Sequence, residues 1–133
     1  MDRSAVRKIV ERELPELQRR FGLGHVTITV EYGPRENPQH EADCGRNYNY
    51  NTAIIGFDPE KTKDETELVE NLRHELFHVV LTPFDLLWHL MTVGLEGDDM
   101  IRAERLWTFS AEQAVIALER LHAGLTEAPK RKR

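Results

Sequence analysis

The sequence predicts an α+β domain with its helices and strands segregated along the chain: an N-terminal helix, a small sheet of two to four strands, a helix carrying His74-Glu75-Leu76-Phe77-His78, and C-terminal helices. Three observations predict it. Apolar residues recur at helical spacing at the start of the chain and through its second half. A β-branched run alternates near residue 30. Clusters of Gly, Pro, Asn and Asp separate these segments.

Val6, Ile9, Val10, Leu14, Leu17 and Phe21 lie at helical spacing with Arg and Glu opposite, so the chain opens on an amphipathic helix. Pro15 falls inside it. Proline removes a helix hydrogen bond and clashes with the preceding turn, which predicts a kink near Glu11 or a second short helix from Pro15. Gly22 and Gly24 end the segment. His25 to Tyr32 reads HVTITVEY, a strand with Val26, Ile28 and Val30 on one face and Thr27, Thr29 and Glu31 on the other. Gly33 to Gly45, rich in Pro, Asn and charge, reads as a loop. Arg46 to Asp58 alternates at Tyr48, Tyr50, Thr52 and Ile54, holds an apolar patch from Ala53 to Phe57, and fits one strand or two.

Asp58 and Pro59 close the sheet, and Thr62 or Asp64, with Glu65 or Glu67 three residues later, supplies a helix N-cap. The helix that follows carries Leu68, Val69, Leu72, Leu76, Val79 and Val80 on one stripe. Thr82-Pro83 is expected to stop it near Leu81 and to cap a short helix over Phe84 to Val93. Gly94 to Asp99 is turn chemistry. A last helix starts near Asp98 or Asp99, buries Met100, Ile101, Trp107, Ala111, Ala114, Val115, Leu118 and Leu121, and ends at Gly124.

The 133 residues suffice for one domain, assigned to 1–128, with a core that needs no disulfide. The single cysteine, Cys44, excludes an internal one. Neither a secretory leader nor a membrane span is expected, because charges crowd the first 20 residues and no apolar run approaches about 20 residues. A soluble cytoplasmic protein is the expectation. Net charge is -5, from 18 Lys and Arg against 23 Asp and Glu, yet four of those cations are the last four residues, so the body stands at -9. An acidic body is a poor general binder of nucleic acid. The tail at 129–133, with Lys130, Arg131, Lys132 and Arg133, reads as a solvated, disordered run; contact with nucleic acid or an acidic partner is its alternative.

His74-Glu75-Leu76-Phe77-His78 is H-E-x-x-H placed in mid-helix. Histidines at i and i+4 point from one helical face and can reach one metal ion at about 2.0–2.1 Å. Glu75, between them, is placed to act on a metal-activated water without being a ligand. A shuffle of this composition shows the pattern roughly 3% of the time, so two structural histidines are the competing reading. Placement decides for a metal site: with Asn71, the two histidines line the edge of a stripe that must be buried.

A small sheet, the HELFH helix and a later acid-bearing helix together resemble a minimal zincin-type metallopeptidase of the gluzincin kind, similar to short phage and bacterial domains, over about Tyr50 to Leu121. The resemblance implies Zn2+ as cofactor, His74 and His78 as ligands, and Glu75 as the general base. Leu81 and Phe84 stand where the metzincin extension needs Gly and His, which excludes that subclass. It also implies a downstream glutamate as third ligand, from among Glu96, Glu104, Glu112 and Glu119. Glu112 is favoured, because the run from Ala111 to Leu121 resembles the acid-then-apolar helix of short family members. Glu104, Glu96, Asp98 and His89 remain alternatives. Glu96 stands in a turn, and His89 reads first as a partly buried structural histidine. His25 and His122 read as structural or exposed, and Cys44 as an ordinary thiol. Support for the imidazoles is expected from acids, carbonyls or Asn71.

Three functions follow as expectations. The first is a zinc-dependent peptidase acting on a peptide or protein that pairs with a strand edge. The second is a degenerate zinc-binding zincin domain that acts by protein interaction. The third is an α+β interaction module in which the motif is accidental.

Overall fold

Asp2 accepts hydrogen bonds from the backbone N–H groups of Ser4 and Ala5 and thereby starts α1 (Arg3–Arg20). The computed structural model, which describes residues 1–47 and 51–126, shows α1 as one helix with Pro15 inside it, not two. The carbonyl that Pro15 leaves without a donor belongs to Glu11, on the exposed side, where it is open to solvent. Val6, Ile9, Val10 and Leu17 form the buried side. Gly22, at φ 68°, takes the left-handed turn that closes the helix, with Leu23 N–H donating to the Gln18 carbonyl at 2.9 Å.

β1 (Thr27–Tyr32), β2 (Ala42–Asn47) and β3 (Thr52–Phe57) form one mixed sheet in the order β1-β3-β2, β3 being parallel to β1 and antiparallel to β2. β2 begins inside the stretch predicted as loop. A polar ADCGRN sequence carries no hydrophobic alternation, and its strand conformation comes from pairing with β3, Cys44 opposite Ile55 and Arg46 opposite Ala53. Tyr48 and Tyr50, read as strand residues, lie outside the described residues, as does the basic tail at 129–133. Arg35, from the loop before β2, lies flat on the outer face between Glu31 and Asp43; a Cβ at Gly56 would overlap its guanidinium.

Asp64 caps α2 (Glu65–Met91), accepting from Glu67 N–H at 2.9 Å. Leu68, Leu72, Leu76 and Val79 pack against α1 and against Ala53, Ile55 and Phe57 of β3 in one core. Contrary to the predicted break at Thr82-Pro83, α2 continues to Met91 as a single helix. The reason is a tertiary hydrogen bond. Pro83 leaves the Val79 carbonyl without its intrahelical donor, and Arg46 of β2 reaches across to donate to that oxygen at 3.0 Å. Thr82 Oγ1 donates to the His78 carbonyl at 3.1 Å on the same turn.

α3 (Gly97–Thr126) returns antiparallel to α2, and the two helices are joined near their turn by stacking of Trp88 on Trp107, with ring centroids 5.2 Å apart. α3 passes through Gly124 instead of stopping there. Of its expected core stripe only Val115 is fully buried; Ile101 and Leu121 are exposed. Thirty helical residues span about 45 Å, and 18 span about 27 Å, so α3 outruns the body formed around α1 and the sheet. Among the described residues no helix is long and apolar enough to cross a membrane.

Candidate metal centre

His74 and His78 sit one turn apart on α2, half-buried, with their Nε2 atoms 3.2 Å from each other. Packing of α3 on α2 brings Glu112 to them. Its Oε1 lies 2.8 Å from His78 Nε2 and its Oε2 lies 3.4 Å from His74 Nε2. One donor atom from each residue lies within 4.8 Å of the other two, and among the described residues this is the group that could hold a metal ion. Neighbouring donors around a four-coordinate ion with arms of about 2.0–2.1 Å stand about 3.3 Å apart, so the spacing is that of one coordination shell. Two imidazoles and a carboxylate are also the donor types that zinc accepts when a fourth position is left open. Burial lowers the pKa of His78 below its ordinary 6.5, which favours the neutral imidazole a metal needs.

His74 has a second partner. Glu119, two turns beyond Glu112 on α3, places Oε1 2.5 Å from His74 Nδ1, a contact without hydrogen-bond geometry, and that buried oxygen has no hydrogen-bond partner among the described residues. A small rotation of the ring would turn Nδ1–H to this carboxylate and leave the Nε2 lone pair to the cluster. Glu119, a candidate ligand from the sequence, thus stands behind His74 and outside the cluster. Asn71, expected in that supporting role, donates its Nδ2–H to Glu41 at 3.2 Å. If the cluster binds zinc, Glu119→Ala weakens the affinity by about 10- to 100-fold, read by competition with a chromophoric chelator; an unchanged affinity would remove Glu119 from the site.

Glu75 is 7% exposed and points to β2. Burial raises its pKa from 4.5 to about 7, aided by Asp43 and Glu112; hydrogen bonding with Cys44 and the charge of His74 pull the other way. The same burial, with Glu75 beside it, pushes the Cys44 thiol well above its ordinary 9.0, so Cys44 stays protonated and unreactive. A cavity of about 390 Å3 joins these groups, lined by Ala42, Asp43 and Cys44 of β2, His40 before it, His74, Glu75 and His78 of α2, and Glu112 of α3. Among the described residues β2 has a strand neighbour on one side only, and Ala42, Asp43 and Cys44 of this edge strand line the cavity.

The remaining candidates stand apart. Glu104 is two turns from Glu112 on α3, Glu96 precedes that helix and Asp98 is in its first turn; all three are exposed and outside the cluster. His89 is exposed instead of partly buried, beside a separate hollow with Asp85, Trp88 and Trp107. His25 is exposed, and His122 is half-buried with its ring edge-on to Phe21. Cys44, Asp43 and His40 were not singled out from the sequence as site residues. Strand parity would have found Cys44, since Ala42, Cys44 and Arg46 share the face toward α2, but parity is invisible in a segment that reads as a loop. Comparison of the chain with protein-family models, with curated proteins and with solved structures finds no match.

Proposed function

We propose that this chain is a zinc-dependent peptidase of the zincin type, acting in the cytoplasm on a peptide or protein substrate. The observation that carries the reading is the convergence of His74, His78 and Glu112 from two helices, beside buried Glu75, in a cavity bordered by a free strand edge. His74, His78 and Glu112 would hold the ion. Zinc in such a site lowers the pKa of a water toward about 7 and polarises a carbonyl.

The chain's own residues supply the rest. An extended substrate lies along the free edge of β2, where backbone N–H and C=O groups from Ala42 onward offer ladder hydrogen bonds with little side-chain preference. Glu75, whose pKa lies near neutrality, takes the proton of the attacking water and passes it to the leaving amine. Glu119 keeps the His74 ring in register through both steps. A single unreactive thiol agrees with a reducing compartment.

Elemental analysis and zinc titration of the purified chain, run beside hydrolysis of a fluorogenic peptide library, test the proposal. About one zinc per chain is expected, with His78→Ala and Glu112→Ala losing both metal and hydrolysis. A chain that binds no zinc overturns the reading. One that binds zinc but cleaves nothing in the library or in a cell lysate is the degenerate zincin domain.

A further inference from the structure

α2 and α3 both extend past the body, and they carry apolar side chains that none of the described residues covers. From Pro83 to Leu95 the ionisable residues are Asp85 and His89. Phe84, Leu87, Leu90, Met91 and Val93 are 57%, 53%, 65%, 73% and 79% exposed. Leu87 lies nine residues beyond His78, two and a half turns, so it is on the opposite side of α2 from the metal cavity. Phe77, Val80, Phe84, Leu87 and Met91 repeat at alternating intervals of three and four, the pattern of a coiled-coil seam. α1 covers the start of this seam, where Phe21 stacks on Phe77 with centroids 4.4 Å apart, and then ends. At that point an apolar hollow of about 240 Å3 joins Phe21, Phe77 and Val80 to Leu118, Leu121 and Leu125 of α3, with Arg20 and His122 also in its lining, and beyond it the seam is open.

We infer that this face pairs with the same face of a second copy of the chain, the two α2–α3 hairpins forming an antiparallel four-helix bundle about a two-fold axis. Area is the first argument. At the exposures above, and with Leu121 at 60% and Leu125 at 75%, the face presents roughly 800 Å2 of largely apolar surface, one partner's share of a standard interface. A monomer's largest apolar patch is usually about 300–600 Å2. Self-complementarity is the second. An isologous contact sets a surface against its own image, and the seam from Phe84 to Met91 meets no like charge there, since Asp85 and His89 lie on the His78 side of α2 and Arg20 stands at the hollow by Phe21. Paired stripes on two antiparallel helices match the knobs-into-holes packing of such bundles. Because the seam faces away from His78, the bundle leaves the β2 edge and the cavity open in both copies. The inference does not depend on zinc or on catalysis.

Sedimentation equilibrium of the full chain over the micromolar range tests it. A species of twice the 15.5 kDa chain mass is expected. Leu87→Glu and Met91→Glu, each at a position already more than half exposed, are expected to weaken dimerisation by at least about 100-fold with unchanged circular dichroism; Leu87→Gln serves if Leu87→Glu fails to fold. Zinc content of these variants stays that of the parent chain. A chain monomeric throughout the range overturns the inference, and so does a dimer that both substitutions leave intact. Monomer that floats with phosphatidylcholine vesicles, and ceases to do so in Leu87→Glu, overturns it in favour of a lipid surface.

Discussion

If the chain is the zinc peptidase proposed above, Glu75→Gln is expected to keep its zinc and to lose hydrolysis by roughly 10²- to 10⁴-fold in kcat/KM, the range over which a positioned general base acts. Glutamine has the shape of glutamate, so the packing of the 7% exposed side chain on β2 survives. What disappears is the acceptor for a proton. The wild-type carboxyl titrates at about 7 in the metal-free chain because burial disfavours its charge. A cation at the cluster favours the carboxylate, so the acid limb of the pH–rate profile falls below pH 7, and Glu75→Gln removes that limb together with the activity. Peptide hydrolysis and bound zinc, measured on the same preparation, decide the matter. Full activity in Glu75→Gln, with metal in place, would sink the assignment of Glu75 as base.

The same substitution stabilises the metal-free chain at alkaline pH. Glu75 has a folded-state pKa of about 7 against an ordinary 4.5. A carboxyl whose pKa rises on folding contributes stability that is complete below about pH 4.5, is lost as pH climbs to about 7 and is absent above it. At about 1.36 kcal/mol per pKa unit the loss is on the order of 3 kcal/mol. His78 acts in the opposite sense, because its depressed pKa costs stability as pH falls below 6.5, but it is present in both proteins and cancels in their difference. Urea unfolding with a chelator at pH 4 to 8 should therefore show Glu75→Gln level with wild type at the acid end and about 3 kcal/mol more stable at pH 8. Parallel curves would mean that Glu75 is solvated in the metal-free chain. The physical content is that this fold holds a carboxylate where charge is costly, as a base that must work near neutrality requires.

Local patterns in the sequence predict the helices well and their ends poorly. Asp64 and Glu67 are visible as a cap, and Val6, Leu17, Leu72 and Leu76 as core positions, because capping and the 3.6-residue period involve neighbours in the chain. Pro83 is the instructive failure. Its local effect is to end a helix, and the rescuing donor, Arg46, is 37 residues upstream on another element. β2 fails in the same way, since its strand character lies in its partner β3 and not in its own composition. The Glu112 stripe on α3 is correctly periodic, yet periodicity assigns a face without assigning depth, and most of that face is half-buried instead of buried.

For the site, the i and i+4 spacing of His74 and His78 already determines, through helix geometry alone, that two imidazoles share one face with Glu75 between them. Which acid joins them is not a local property. Resemblance of the Ala111 to Leu121 run favours Glu112, but it is the crossing of α3 over α2 that sets Glu112 at 2.8 Å from His78 and gives Glu119 to the back of His74. The tertiary structure alone also decides that Glu75 is buried against Cys44 and that the free edge of β2 borders the cavity. A periodic chain encodes directions along one element, whereas distances between elements follow from how their surfaces pack.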